Sequence, residues 1–249
     1  MTKTENAITC RPGGHLQNGS GQTQQRLKAN DELIRYEKAK ARVVVRNLTS
    51  YLGLSLRNKK ILEIGCSTGA LMEELEKRGA DVSGVDVDSS WSCRYYYSPE
   101  KRILLDIQEN NFPDEWEKKD FDLVIAQEVI EHIKRPYDFL RRVWRVLKPD
   151  GWLFLTTPNL TGITALLKGR KWCGLVTESH FLLYSPKSMD FTVCNCGFRK
   201  VRTFTNTVPI VYQDKYPSLW RLNRAFMPLG MGGGIMGLYR KTEHSSTMT

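Results

Sequence analysis

Apolar residues recur along this chain in two periods. Between about Asp31 and Tyr51, Leu33, Ile34, Val44, Val45, Leu48 and Leu52 share one broad helical face, and Gly53 stands where such a helix would stop. From residue 59 the period changes. KKILEIG, DVSGVD, RILLD, FDLVIA and WLFLTT are short apolar runs bounded by turn residues, and are read as strands one to five. Helical segments separate them. GALMEELEKRG places Leu71, Met72 and Leu75 inward and closes at Gly79; a weaker helix is expected around Trp91–Tyr97; YDFLRRVWRVLK puts Leu140, Val143, Trp144 and Leu147 on one face. Pro149-Asp150-Gly151 predicts a turn into the fifth strand. SPKSMDFTVCNCG predicts a helix begun by a serine cap and ended by glycine, and FRKVRTF and GIMGLYRK supply two last strands.

This alternation predicts an α/β fold, a mostly parallel sheet of seven strands with helices on both faces. Ligands of such sheets lie beyond the carboxyl ends of the strands, so the strand tips are where chemistry is expected.

Composition changes the picture only at its edges. The 249 residues, 41% apolar and 26% charged, suit a single domain, expected over 26–241, with tails at 1–25 and 242–249. No run approaches the roughly 18 apolar residues that span a bilayer, and MTKTENAITCRPGG lacks the apolar core of a signal peptide. A cytoplasmic protein is expected, one still able to touch a membrane from one side. Cys10, Cys66, Cys93, Cys173, Cys194 and Cys196 make no CxxC pair; Cys194 and Cys196 fall in the serine-capped helix, and buried free thiols are expected. The net charge of +10 is uneven: residues 61–132 hold 17 acidic and 7 basic side chains, whereas 1–60 hold 4 and 12. Basic flanks favour an anionic substrate, an acidic membrane surface or nucleic acid, or are simply a solvated surface.

The tips carry the candidate chemistry. Gly65 and Gly69 bracket a tight turn from the first strand into a helix, where backbone can approach a ligand closely. Asp86 closes the second strand, Asp106 the third, and Glu128 follows the fourth; a carboxylate at the second tip can accept from ribose hydroxyls. The dinucleotide fingerprint GxGxxG is not met, because Ser67 and Ala70 take its second and third glycine places, and no GxxxxGK[ST] loop exists. Glu63, Asp86, Asp88, Asp106 and Glu128 would repel a pyrophosphate and welcome a cationic adenosine cofactor. S-adenosyl-L-methionine, with its sulfonium and ammonium, has that chemistry.

With these motifs in view, the chain resembles the class I S-adenosylmethionine-dependent methyltransferases. ILEIGCSTGAL is similar to their first motif, GVDVD to the second, LLDI to the third, FDLVIAQEVIEHI to the fourth, and LRRVWRVLKPDGWLFLTTPN to their helix-turn-fifth-strand segment, over about residues 58–205. The resemblance implies a Rossmann-like fold whose last strand is antiparallel. It also implies cofactor contacts from Glu63, Gly65, Cys66, Gly69, Asp86, Val87, Asp106, Ile107 and Gln127. Ser67 departs from the pattern where many members have glycine.

The stretch QEVIEH places Glu128, Glu131 and His132 at i, i+3, i+4 spacing, which one helical turn would gather on one face. Two carboxylates and an imidazole suit Mg2+, Mn2+ or Zn2+, with His180 in TESHFLLYSPKSM as a fourth ligand. Ubiquinone-biosynthesis O-methyltransferases and small-RNA 3′-terminal 2′-O-methyltransferases both resemble this step. Three readings stay open here: a metal held over an acceptor hydroxyl, His132 or His180 as a metal-free catalytic base, or a helix start with no chemistry. Two long connections, 159–180 and 206–233, mix aromatic with basic residues and are expected to shape the acceptor pocket. A small-molecule or lipid-like acceptor with O-methylation is the leading expectation. An RNA 2′-O-methyltransferase is the first rival, disfavoured by the lack of a separate RNA-binding module or dense arginine cluster. A non-catalytic cofactor-binding protein is the second. Oligomeric state is not legible.

Overall fold

The computed structural model describes residues 34–87, 101–108, 110–117, 121–206 and 230–243. The expected tail 1–25, the helix around Trp91–Tyr97, Asp88, Cys10, Cys93, most of the 206–233 connection and the last six residues lie outside the described residues.

Helix α1 runs over 34–46 and loosens into a π turn, Asn47–Tyr51, before Gly53 turns the chain at φ 71°. Strands β1 (Lys60–Ile64), β2 (Asp81–Asp86), β3 (Arg102–Leu104) and β4 (Phe121–Gln127) follow, with α2 (Ala70–Glu76) after β1 and the short α3 (Asp114–Glu117) before β4. Then come α4 (Pro136–Val146), β5 (Leu147–Pro158), α5 (Ile163–Lys168), α6 (Cys173–Val176), α7 (Pro186–Cys194), β6 (Phe198–Asn206) and β7 (Gly234–Lys241). The predicted Pro149-Asp150-Gly151 turn is an irregularity inside β5. The register against β4 shifts between Phe121–Leu147 and Leu123–Trp152, with Asp150 at φ 59°.

One seven-stranded sheet results, ordered β3-β2-β1-β4-β5-β7-β6. The first five strands pair in parallel, and β7 runs antiparallel to both β5 and β6. Alternate side chains of each strand enter two cores. Ile61, Leu123, Ile125 and Phe154 pack with Val44, Val45 and Leu48 of α1 and Leu71, Met72 and Leu75 of α2. Leu62, Ile64, Val124, Ala126 and Leu155 pack with Phe139, Leu140 and Val143 of α4 and Met189 and Val193 of α7. Burying a side chain of this size is worth about 1.5–3 kcal/mol, so the two layers fix the sheet between them.

Helix α7 starts as expected, on a reciprocal cap: Ser188 N–H donates to Ser185 Oγ at 3.1 Å while Ser185 N–H donates to Ser188 Oγ at 2.9 Å. It ends at Cys194, so Cys196 lies in the turn beyond it. The thiols divide rather than all being buried: Cys66 and Cys196 are enclosed, Cys173 and Cys194 exposed. The 159–180 connection is not an open loop but carries α5, a 3-10 turn (Gly169–Lys171) and α6. No helix among the described residues is long and apolar enough to cross a membrane.

Asn159 ties the start of that connection to the end of the next one. Its Nδ2 donates to the carbonyls of Gly230 (3.0 Å) and Gly232 (2.7 Å), its Oδ1 accepts from Thr161, and its N–H donates to Gly233 O at 2.9 Å. Gly232 is so close to the Asn206 backbone that a Cβ there would collide with it.

Candidate functional site

Strand order reverses beside β1, whose neighbours are β2 and β4, and the carboxyl ends there part around a cavity of about 340 Å³. The loop leaving β1 forms one wall. Gly65 has φ 75°, and a Cβ on it would sit 2.6 Å from Val129 Cγ2, so both backbone and space demand glycine. Gly65 and Cys66 N–H groups donate to Val85 O, at 2.8 and 3.1 Å, and Ser67 N–H donates to Asp86 Oδ2 at 2.6 Å. Ser67 itself has φ 42°, a conformation that glycine adopts more freely, so this chain holds a serine there at some strain.

Eight of the nine expected cofactor residues line the cavity: Glu63, Gly65, Cys66, Asp86, Val87, Asp106, Ile107 and Gln127. Gly69 does not; it stands behind the wall as the left-handed N-cap of α2. Asp106 is braced by its own turn, Oδ1 accepting from Gln108 N–H at 2.9 Å.

The opposite wall was not legible from the strand tips. Glu37, Lys40 and Ala41 reach the cavity from α1. Burial alone would lower the pKa of Lys40, but Glu37, Glu128, Tyr36 and Glu63 outweigh it and the pKa is raised, keeping the ammonium charged. Glu63 moves the other way for a carboxylate. Burial, and then the charge of Glu37, push it well above its ordinary range. Burial likewise raises the Cys66 thiol, which is inert. Glu63 Oε2 and Gln127 Oε1 are buried on this lining without a hydrogen-bond partner. Such oxygens are costly unless a ligand completes them, and they suit a ligand that brings N–H or cationic groups.

Beyond β4 the expected helical turn does not form. Glu128 sits at φ 53°, outside any helix, and the 3-10 turn covers only Ile130–His132. Glu128 N–H donates to Thr156 O, and Glu128 Oε1 accepts from Thr156 Oγ1, both at 3.0 Å. The expected grouping of Glu128 with Glu131 and His132 is therefore corrected. The donors that converge are Glu131, His132 and His180, whose ligand atoms lie within 4.8 Å of one another.

The local contacts explain this trio. Glu131 is buried; its Oε2 accepts from Thr157 Oγ1 at 3.0 Å and its Oε1 has no partner. Its carbonyl accepts from Phe181 and Leu182 N–H, which draws the His180 segment alongside. His132 Nδ1 lies 2.9 Å from Ser179 O, and His180 Nδ1 lies 3.0 Å from Gly174 O. A carbonyl only accepts, so each Nδ1 carries the hydrogen, which leaves Nε2 as the lone-pair atom of a neutral ring. The two rings meet edge to face, 4.7 Å between centroids. Burial, followed by the charge of Glu128, pushes Glu131 up to about 8, and burial lowers His132 below its ordinary value. His132 lines the cavity; His180 stands behind it. Such a set can hold a divalent cation or take a proton.

Residues 35–203 match the family model described as a methyltransferase domain. A ubiquinone biosynthesis O-methyltransferase of Hydrogenovibrio crunogenus is 27% identical over 152 residues, 57% of this chain and 63% of that protein. The mitochondrial ubiquinone biosynthesis O-methyltransferase of Homo sapiens is 38% identical over 141 residues, 54% of this chain and 37% of that protein. The chain thus spans about half the length of the curated relatives it matches. The crystal structure of a SAM-dependent methyltransferase from Archaeoglobus fulgidus superposes with a TM-score of 0.56 over 81% of this chain and 94% of that one; at 18% identity the likeness is one of fold.

Proposed function

Since the chain belongs to the methyltransferase-domain family that its residues 35–203 match, we propose that it transfers a methyl group from S-adenosyl-L-methionine to a hydroxyl of a small or lipid-like acceptor. The observation that carries this reading is the cavity at the strand-order reversal. It joins Asp86, Asp106 and a glycine-enforced approach at Gly65 to two buried oxygens, on Glu63 and Gln127, that lack partners among the described residues. When bound, the cofactor supplies an activated methyl group on a sulfonium.

The chain's own residues do the rest. Asp86, oriented by Ser67 N–H, accepts from ribose hydroxyls; Asp106 and Ile107 meet the adenine. Glu63 and Gln127 accept from the amino-acid end, and Lys40 offers a cation for its carboxylate. Burial and the charge of Glu37 raise the pKa of Glu63, and the ammonium of a bound ligand would offset part of that rise. Positioning of the two reactants supplies much of the rate.

The acceptor hydroxyl must also lose its proton. Glu131, His132 and His180 would hold a divalent ion such as Mg2+, which lowers the pKa of a hydroxyl it touches. His132 Nε2 orients towards base chemistry in the same place. The names of the relatives support O-methylation. An acceptor screen with methyl-labelled cofactor, run with EDTA and with added Mg2+, tests the whole reading. Transfer to hydroxyl acceptors is expected, abolished by EDTA and restored by the ion. Full transfer in EDTA would leave His132 as the base, and no cofactor binding by calorimetry would overturn the function.

A further inference from the structure

Asp106 and Ile107, the residues set to meet adenine, stand on the least supported wall of the cavity. β3, which leads to them, is three residues long and lies at the edge of the sheet, paired with β2 alone among the described strands. Its Leu104 is 52% exposed, and the last bond to the ladder runs from Leu105 N–H to Asp86 O at 2.9 Å. Beyond it no helix or strand forms among the described residues until Asp114. The turn's own bonds all return to Asp106. Gln108 N–H donates to its Oδ1, and Asn110 donates to its carbonyl from N–H (3.0 Å) and from Nδ2 (3.1 Å). These bonds close the turn on itself without fastening it to the rest of the fold.

The fastening comes from outside. Arg142 Nη1 donates to Ile107 O and to Asn110 O, both at 2.7 Å. Lys134 N–H donates to Gln108 Oε1 at 3.1 Å. Arg142 stands on α4, whose Phe139, Leu140, Val143 and Val146 are buried in the core, so a fixed helix grips a loose turn. The two bonds are short and charge-assisted, and one cationic nitrogen between two carbonyls sets the spacing of the turn. Arg142 lines a small cavity of about 160 Å³ behind Ile107 and Gln108, not the cofactor cavity, so it acts on a ligand only through the turn. Its neighbour Arg141 differs, pairing with Asp138 at 3.3 Å on the same helix in an exposed ion pair of little worth.

We propose that Arg142 is a positioning residue for nucleobase recognition. It holds the turn in the shape that presents Asp106 and Ile107 to adenine, so the turn is ordered when the chain folds rather than when the ligand binds. This rests on the reading that the cavity takes S-adenosyl-L-methionine. Without Arg142, contacts to ribose from Asp86 and to the amino-acid end from Glu63 and Gln127 remain, and only the adenine end is loosened. The loss is therefore specific to the base.

Calorimetry with S-adenosyl-L-homocysteine tests it. Arg142→Met keeps an unbranched stem and removes the donor, and should raise the dissociation constant about tenfold. Arg142→Lys returns a cation with several donors and should recover to within about threefold of the parent. Arg141→Met is the control and should leave the constant unchanged. S-inosyl-L-homocysteine lacks adenine's amino group and cannot donate from it to Asp106, so Arg142→Met should weaken this ligand by less than about threefold. If methionine disturbs folding by circular dichroism, Arg142→Gln takes its place and should show the same loss. An unchanged constant in Arg142→Met, equal losses for the two ligands, no recovery with lysine, or an equal loss in Arg141→Met would each overturn the proposal and leave the cofactor reading intact. Failure of the unmodified chain to bind S-adenosyl-L-homocysteine would instead overturn the cofactor reading, and this proposal with it.

Discussion

The two ends of the sheet are built from similar side chains to opposite effect. At the amino end, Asp122 accepts from Lys60 N–H (2.9 Å), Lys148 (3.1 Å) and Lys59 (3.3 Å), and Arg240 pairs with Asp150 at 3.1 Å over the Trp152 ring. At the carboxyl end, Glu37 crowds Glu63 and Glu128 crowds Glu131, and oxygens of Glu63, Gln127 and Glu131 lack partners among the described residues. Cavity size does not separate the two, since the amino end has one of about 310 Å³ against about 340 Å³. Satisfaction does. One end is complete by itself and serves stability; the other is left incomplete, which is the state of a site awaiting a ligand.

The strongest test of that contrast is Asp86→Ala. Losing a charged acceptor for two ribose hydroxyls should raise the calorimetric dissociation constant of S-adenosylhomocysteine about a hundredfold, and an unchanged constant would break the assignment. Next comes Glu131→Gln. The folded pKa of Glu131, about 8, lies above its ordinary 4.5, so the folded protein binds the extra proton between those values and loses stability as pH rises through them. In EDTA, the melting temperature of the glutamine variant should gain a few degrees on the parent from pH 5 to pH 8 and level off above. A gap that does not change with pH would show Glu131 is not strained by its surroundings.

Glu128 sharpens the comparison further. Both Glu128→Gly and Glu128→Ala lose the Thr156 bond, but only alanine keeps the cost of positive φ. The glycine variant should be more stable by about 1 kcal/mol in urea unfolding, with turnover reduced in both. The smallest effect belongs to the amino end. Although burial pushes Asp122 up, Lys60 N–H and Lys148 hold its pKa below the ordinary value. Its contribution is present above the unfolded pKa and is lost as pH falls through the folded one. Asp122→Asn should cost about 0.5–1 kcal/mol at pH 7, nothing in strong acid, and no cofactor affinity at any pH.

What the sequence made legible was local. β7 runs over the GIMGLYRK residues, and α7 begins on the Ser185 cap, because alternation and capping are decided within a few residues. Asp86 ends β2 as expected, because a strand end is local too, whereas β3 stops at Leu104 and Asp106 stands two residues beyond it in a turn rather than closing the strand. Lys40 and Glu37 were missed for the converse reason. Which face of α1 meets the tip of β1 depends on packing across the upper core, and no period in 34–46 records it. The backbone of Glu128 was also hidden: a non-glycine at φ 53° leaves no compositional mark, and it turned a helical spacing into a false guide. His180 is drawn to Glu131 and His132 by bonds from its neighbours, Ser179 to His132 and Phe181 and Leu182 to Glu131, made 47 to 51 positions apart, a distance that periodicity does not see.

The clasp at Asn159 has a consequence for how this scaffold can be altered. Asn206 and Gly230–Gly233 are bonded together at one point: Gly233 N–H donates to Asn206 O, Gly232 N–H to Thr205 Oγ1, and Asn159 fastens both from the side. Whatever chain joins Asn206 to Gly230 leaves and re-enters through a closed gate. Any exchange of the residues between Asn206 and Gly230 would have to keep Asn159 and Gly232, which hold the two ends together.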